Sequence, residues 1–257
     1  MAALTSEISG GIATITIDNP AKRNAMTAAM WRALPDLLNG LAEDESVRVL
    51  VLTGSGAHFC SGADISDLAD VDRLDGDYLS VAAEEALAGF PKPTIAAIQG
   101  YCVGGGCLLA AACDLRFAAA NARFGITPAR FGLVYPVSAT ARLVGLVGSA
   151  AAKYLLYSAE LIDAAHALRI GLTSEVVDRL DERVAGFAAM LTTRSQLTLR
   201  ATKDIVDALT AGSPIEERVG EWLREARAGD AAEGVSAFLE RRPPRFTWNG
   251  TTPAGPP

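Results

Sequence analysis

Ile98-Gln99-Gly100-Tyr101-Cys102-Val103-Gly104-Gly105-Gly106-Cys107-Leu108 decides the reading of this chain. A short apolar run from Thr94 to Ile98 precedes it and an Ala/Leu-rich run from Leu108 to Ala112 follows, so three glycines stand between a strand and a helix. Glycine lets the backbone adopt positive φ and pass close to another group. A helix starting there aims unpaired N–H groups and a partial positive charge at whatever lies before it, which suits a developing oxyanion. A second small-residue loop, Cys60-Ser61-Gly62-Ala63-Asp64, also follows a strand-like run. Two such loops can each give one N–H to the same oxygen. The competing reading is a tight turn and nothing more.

Outward from that stretch, strand and helix patterns alternate. Gly11 to Ile17 alternates around Thr14 and Thr16, as a half-buried strand does. Arg48 to Thr53 and Thr94 to Ile98 are nearly all apolar, as strands covered on both faces are. Cys113 to Ala118 and Glu175 to Val177 read as further strands. Helices are predicted over Thr27 to Glu43, with Thr27 as N-cap and Pro35 marking a kink, and over Gly76 to Phe90. The chain is mostly helical after Ser138, with short helices over Ser149 to Ser158 and Asp163 to Ile170. From Asp181 on only helices follow: Glu182 to Thr193, Ser195 to Ala211, Ile215 to Ala228 and Ala231 to Leu239. The acidic run Asp64 to Gly76 is either a solvated loop or a lid. This order predicts an α/β fold with a helical C-terminal part.

Composition narrows the function classes. Half of the 257 residues are hydrophobic and 21% are charged, enough for a sizeable core. Mean hydropathy is +0.23 and the pI about 5.0. A net charge of −7 argues against a general nucleic-acid binder, which needs a basic face. No apolar run reaches the length of a membrane span, and no basic segment leads into an apolar one at the N-terminus; a cytoplasmic protein with no membrane partner is expected. The four cysteines (60, 102, 107, 113) form no CxxC pair and there are only two histidines, so no metal site is expected. Cys102 and Cys107 read as small apolar filler.

Several ordered blocks carry a resemblance. Val47 to Gly54, Phe59 to Ile65, Lys92 to Gly100, Gly104 to Cys107 and Cys113 to Ala118 resemble the enoyl-CoA hydratase/isomerase (crotonase) family, as do Asn19-Pro20, Asn24-Ala25-Met26, Ile162-Asp163-Ala164 and Gly171-Leu172. The likeness runs from about Ile12 to Phe246. It implies a spiral of ββα units with a helical C-terminal region used in trimer formation, divided as a core over residues 1–190 and a helical oligomerisation region over 191–246; the Pro-, Gly- and Thr-rich composition of the end predicts a disordered tail over 247–257. It implies a homotrimer or homohexamer acting on acyl-CoA thioesters in fatty acid metabolism, with coenzyme A carried by the substrate and no separate cofactor. The catalytic amides it implies are those of Ala63 and Gly105, holding the thioester oxygen as an enolate forms. Lys22, Arg23, Ala25, Ser61, Ala63, Asp64, Ile65, Gly104, Gly105, Leu108 and Pro128 match the positions that line acyl-CoA.

The chain also departs from that pattern. Two glutamates act in the hydratases. The first position is Leu108 here; the second is Pro128, or Ala129 if aligned on the proline. None of these side chains relays protons, so ordinary hydration is not expected. Thr127 to Tyr135 and the ending Glu233 to Arg242 resemble methylmalonyl-CoA decarboxylase-like members, which makes Tyr135 the counterpart of a tyrosine at the carboxylate end of the pocket. That branch, however, carries a histidine where this chain has Ala63. Tyr135 is thus the candidate proton donor or orienter. Arg130, Asp64, Asp70 and His58 are the other polar candidates, and His166 reads as structural. The chain is expected to be a lyase or isomerase of this family, with a decarboxylase, a hydrolase-type member or a non-catalytic acyl-CoA-binding protein as alternatives.

Overall fold

The computed structural model describes residues 2–67, 78–248 and 250. In chain order it contains β1 (Ala3–Ser9), β2 (Ile12–Asp18), α1 (Ala28–Glu43), β3 (Val49–Gly54), α2 (Leu79–Ala88), β4 (Thr94–Ile98), β5 (Tyr101–Val103), α3 (Gly105–Ala112), β6 (Leu115–Ala119), β7 (Arg123–Gly125), α4 (Pro128–Phe131), α5 (Val137–Ser158), β8 (Ile162–Asp163), α6 (Ala164–Arg169) and β9 (Glu175–Val177). Four helices follow: α7 (Leu180–Thr192), α8 (Gln196–Ala211), α9 (Glu216–Ala228) and α10 (Asp230–Leu239). The larger sheet has the order β1-β2-β3-β4-β6-β9, parallel except for the β1–β2 hairpin; β5, β7 and β8 form a smaller sheet.

The alternation of side chains along each strand builds two cores. In β2, Ala13, Ile15 and Ile17 are fully buried. Leu50 and Leu52 of β3 join them, with Ala96 and Ile98 of β4, against Trp31, Leu34 and Leu38 of α1. The intervening residues Val49 and Val51 face the other way. There they meet Ile95, Phe117 and, from α7, Val184, Ala188 and Leu191. Each such leucine contributes about 1.5–3 kcal/mol when fully buried. Covered on both faces, β3 and β4 need apolar residues at every position, which is why they read as unbroken apolar runs.

Thr27 caps α1 as expected, its side chain accepting from Met30 N, and the helix continues past Pro35. Other details differ. Strand β1 pairs with β2 through a Gly10-Gly11 turn with φ of 57° and 83°, the positive values that a two-residue hairpin requires. The described part of α2 starts at Leu79, and the expected helix from Ser149 is the second half of α5, which breaks at Gly148. The acidic segment splits: Ile65–Asp67 form a single 3-10 turn, and Asp70 with the rest of the lid reading lies outside the described residues. In the tail, Trp248 donates to Glu225 at 2.8 Å, with the Arg200 guanidinium 5.1 Å from its ring.

Lys92 ties the end of α1 to the start of β4. It is fully buried, and its Nζ donates to the carbonyls of Leu41 at 3.0 Å and Asp44 at 2.7 Å. These are orphan acceptors of a helix end. Burial pulls the Lys92 ammonium down to about 8. Because the folded value lies below the unfolded one, the folded state loses this proton first, and the group's contribution to stability rises between about pH 8 and the ordinary lysine range. Lys92→Met should therefore cost about 1–3 kcal/mol at pH 7 by leaving the carbonyls unpaired. The gap from the unaltered protein should widen by pH 9.5. Urea unfolding at the two pH values measures both.

Candidate active site

The C-terminal ends of the parallel strands β3 and β4 lie together, and each opens into one of the two small-residue loops. The first loop turns back at once: a methyl group on Gly54 would lie 2.1 Å from Phe59 O and 2.2 Å from His58 O. Asn24 holds this turn. Fully buried and left-handed (φ 59°), it donates through Nδ2 to Ser55 O at 2.8 Å and His58 O at 2.6 Å, and its Oδ1 accepts from Asn19 N at 3.0 Å. Asn19 in turn donates to Ala25 O at 2.8 Å. The Asn19 and Asn24 blocks thus shape the loop.

The two loops are then paired backbone to backbone. Cys60 N donates to Tyr101 O at 2.9 Å and Val103 N donates to Cys60 O at 2.9 Å. On the other side of the first loop, Met26 N donates to Gly62 O and Asp64 N to Met26 O, both at 2.8 Å. Those bonds bracket Ala63, whose own N–H donates to no described residue. Gly104 N is spent on Gly125 O at 2.8 Å, whereas Gly105, the first residue of α3, donates to no described residue. The two unused donors are close. A methyl group on Gly62 would lie 3.2 Å from Gly105 N, and one on Gly105 would lie 3.8 Å from Ala63 N. Gly62 (φ 98°) and Gly104 (φ 57°, ψ −127°) take conformations that side chains exclude. Trp31, with no exposed surface, packs its ring edge 3.0 Å from where a Gly105 methyl would be.

Around this cradle the side chains are mainly apolar. Leu108 and Pro128 are buried, Ala129 is exposed, and Tyr135 is partly buried. A methyl on Gly104 would lie 3.8 Å from Tyr135 Oη and 3.9 Å from Thr127 Oγ1. Tyr135 also lines an apolar cavity of about 570 Å³ with Pro128, Ala129, Leu133, Val137 and Leu156. The sequence does not single out Trp31, which sits on the core face of a helix where an indole looks like filler, and Thr127 stands in it only as the start of the segment that runs to Tyr135.

The mouth of the site is polar and already engaged. Lys22 Nζ donates to Asp64 Oδ2 at 2.5 Å and lies 3.4 Å from Ser66 Oγ. Hydrogen bonds from Lys22 and Ser66 hold the Asp64 carboxyl below its ordinary value. Asp67 accepts from Ala28 N at 3.1 Å, capping α1. Arg23, in a left-handed conformation, stacks its guanidinium 4.8 Å from the Tyr101 ring centre. Ser61 N donates to Arg23 O at 3.1 Å and its hydroxyl to Lys22 O at 3.0 Å. Ile65 is 70% exposed, an apolar side chain presented at the rim.

The remaining candidates lie elsewhere. His58 is not a free surface loop residue: it is half-buried, accepts from Tyr101 N at 3.3 Å and packs against the Tyr101 ring. His166 packs beside Tyr154, and Arg130 is exposed. All four cysteines are buried. Desolvation pushes Cys60 and Cys113 up to about 12 and raises Cys102 well above the ordinary thiol value, the behaviour of inert structural thiols. Among the described residues no cluster of His, Cys, Asp or Glu could hold a metal ion.

Glycine at 106 is a steric necessity here, since a methyl would lie 2.4 Å from Cys60 O, whereas one on Gly40 in α1 meets nothing within 4 Å. Gly106→Ala should cost about 1–3 kcal/mol or more, and Gly40→Ala should stabilise by about 0.5–1 kcal/mol. Thermal unfolding of the pair should show opposite signs.

A family model described as enoyl-CoA hydratase/isomerase matches residues 7–249. A probable enoyl-CoA hydratase of Mycobacterium leprae is 34% identical over 92% of this chain and 94% of its own. The 2,3-dehydroadipyl-CoA hydratase of Escherichia coli is 36% identical over 90% and 93%. A solved structure of an enoyl-CoA hydratase/carnithine racemase from Magnetospirillum magneticum superposes with a TM-score of 0.90 at 33% identity, covering 96% of each chain.

Proposed function

Because the chain belongs to the enoyl-CoA hydratase/isomerase family, we propose that it binds an acyl-CoA with the thioester oxygen between Ala63 N–H and Gly105 N–H and stabilises the enolate formed from it. The observation that carries this reading is the pair of unspent, converging amides at the end of two paired loops. Preformed dipoles stabilise developing charge without reorganising, and one such donor is typically worth about 3–4 kcal/mol in the transition state. The N-terminus of α3 adds its partial positive charge on the same side.

Coenzyme A, carried by the substrate, would run along residues 22–25 and 61–65, with the exposed Ile65 and the backbone of Ala63 to Ile65 against it. Lys22 has three N–H donors and directs one firmly at Asp64, so a phosphate would share it. Arg23 stays stacked on Tyr101 with its polar edge available. Gly104, Leu108 and Pro128 would bound the acyl end. Exposed apolar side chains on α8 to α10, among them Leu209, Val235, Phe238 and Leu239, suit burial between subunits of a trimer or hexamer. No helix among the described residues is long and apolar enough to cross a membrane, and four unpaired thiols suit the cytoplasm.

Leu108, Pro128 and Ala129 leave the acyl end without the two carboxylates that hydration uses, so crotonyl-CoA hydration should be far below the general enzyme median of about 10 s⁻¹. A rate at that level would overturn this part of the reading. One observation favours a second reaction: the Tyr135 hydroxyl faces Gly104 at a site lacking those carboxylates. Loss of CO₂ from a 2-carboxyacyl thioester delivers its bonding electrons directly into the enolate, and no base need remove a C–H proton. The α-carbon then takes a proton, with Tyr135 as donor or orienter.

A panel of enoyl-, β-keto-, malonyl- and methylmalonyl-CoA esters tests this, together with calorimetry. Tight binding without turnover of any ester would make the protein a carrier or sensor. No binding would end the acyl-CoA reading. Where turnover is found, Tyr135→Phe should lower kcat more than it changes affinity; an unchanged rate would remove Tyr135 from the chemistry.

A further inference from the structure

The two walls of the entrance carry charge that is already committed within the protein. One wall is the turn at residues 19–25, and the other is the loop at residues 60–67. Together they hold two cations, Lys22 and Arg23, and two carboxylates, Asp64 and Asp67. Lys22 Nζ lies 2.5 Å from Asp64 Oδ2, and the Asp64 side chain is only 8% exposed against 53% for Lys22. Ser66 Oγ donates to the other oxygen of that carboxylate at 2.8 Å. Asp67 accepts from Ala28 N at 3.1 Å. The Arg23 guanidinium lies over the Tyr101 ring, 4.8 Å from its centre. The charges on these walls therefore balance, and the ammonium is held by the more deeply buried partner.

We propose that this entrance reads the uncharged pantetheine arm of the thioester and not the nucleotide beyond it, so that the site takes an acyl-phosphopantetheine with or without its adenine nucleotide. This rests on the acyl-CoA reading above and redraws its substrate class. A phosphate entering between the walls meets an ammonium that a nearly buried carboxylate already holds. Drawing Lys22 away would leave Asp64 charged, desolvated and without its main partner, which is strongly unfavourable. Leaving Lys22 in place would set phosphate oxygens beside the Asp64 carboxylate, a contact between like charges. Arg23 alone could meet the phosphate, and one solvent-exposed ion pair contributes little and is screened by salt. The pantetheine arm needs none of this. It consists of two amides, a hydroxyl and a gem-dimethyl group, and Ile65, 70% exposed, offers an apolar surface at the rim.

Calorimetry on the full chain tests this with three ligands that share one acyl group. They are butyryl-CoA, butyryl-dephospho-CoA, which lacks the 3′-phosphate, and butyryl-phosphopantetheine, which lacks the whole adenine nucleotide. Both truncated ligands should bind the unaltered protein within about fivefold of butyryl-CoA. Raising salt from about 50 to about 300 mM should change the butyryl-CoA affinity by less than about twofold. Asp64→Asn keeps an oxygen for Ser66 and removes the charge that holds Lys22. It should favour butyryl-CoA over butyryl-phosphopantetheine by at least about threefold more than the unaltered protein does, and salt should erase that gain. A loss beyond about fivefold on either truncation would overturn the proposal, since the phosphates are then read. So would an unchanged ratio in Asp64→Asn, since Asp64 then does not restrain Lys22. Should that variant not fold, the three ligands on the unaltered protein decide alone. Binding of butyryl-CoA without the truncated ligands leaves the acyl-CoA reading standing and ends this proposal; binding of none of the three ends both.

Discussion

Two backbone hydrogen bonds hold the functional end of this molecule together: Cys60 N to Tyr101 O and Val103 N to Cys60 O, each 2.9 Å. They pair two loops that leave neighbouring parallel strands, and they fix how far apart Ala63 and Gly105 stand. The glycines follow from that pairing. A side chain at Gly54 or Gly100 would strike the turn at residues 57–59, and one at Gly106 would strike the Cys60 carbonyl. The loops approach closely because nothing projects between them. Asn24 replaces the missing side-chain packing with hydrogen bonds to Ser55 O and His58 O, so the loop is rigid without bulk.

The same pairing explains why the site is electrostatically strong yet poor in acids. Behind the loops lie Met26, Trp31, Cys60, Cys102 and Cys107, all buried. A low-dielectric backing strengthens an N–H dipole acting on a charged oxygen. A carboxylate at position 108 would carry charge of the same sign as the proposed enolate; leucine carries none. What leucine cannot do is move a proton. In the reading proposed above, hydroxyl groups would remain as the polar chemistry at the acyl end, and hydroxyls suit donating and orienting far better than pulling a proton from carbon.

Much of the frame is written locally in the chain. β3 and β4 are legible because burial on both faces forces unbroken apolar runs, and Thr27 because a cap is a local bond. The two loops are legible because backbone conformation alone demands glycine there. β1 is not, since its outward residues Thr5, Ser6 and Glu7 give no apolar alternation and its partner supplies the register. β5 and β7 are three residues each and exist only through their pairing. Trp31 escapes for a different reason: its place depends on distance in space to Gly105, which no residue pattern near it encodes. His58 looks like a loop residue until Tyr101 N donates to its ring.

The polar mouth shows how an acidic protein can face an anionic ligand. The net charge of −7 repels coenzyme A at long range, and that repulsion fades beyond about 8–10 Å at physiological salt. At short range the local balance decides. Asp64 is nearly buried and keeps its charge because Lys22 and Ser66 hydrogen-bond it, so Lys22 cancels Asp64 before it can attract a phosphate. Arg23 is spread over an aromatic face. Little unbalanced positive charge remains in this corner. In the acyl-CoA reading proposed above, recognition would rest chiefly on shape: the Ala63 N–H, the exposed apolar face of Ile65, and a loop geometry fixed from behind by Asn24. The Lys22–Asp64 pair serves that geometry, since it fastens the Pro20 to Arg23 turn to the first small-residue loop and so keeps both walls of the entrance in register with the amides beneath.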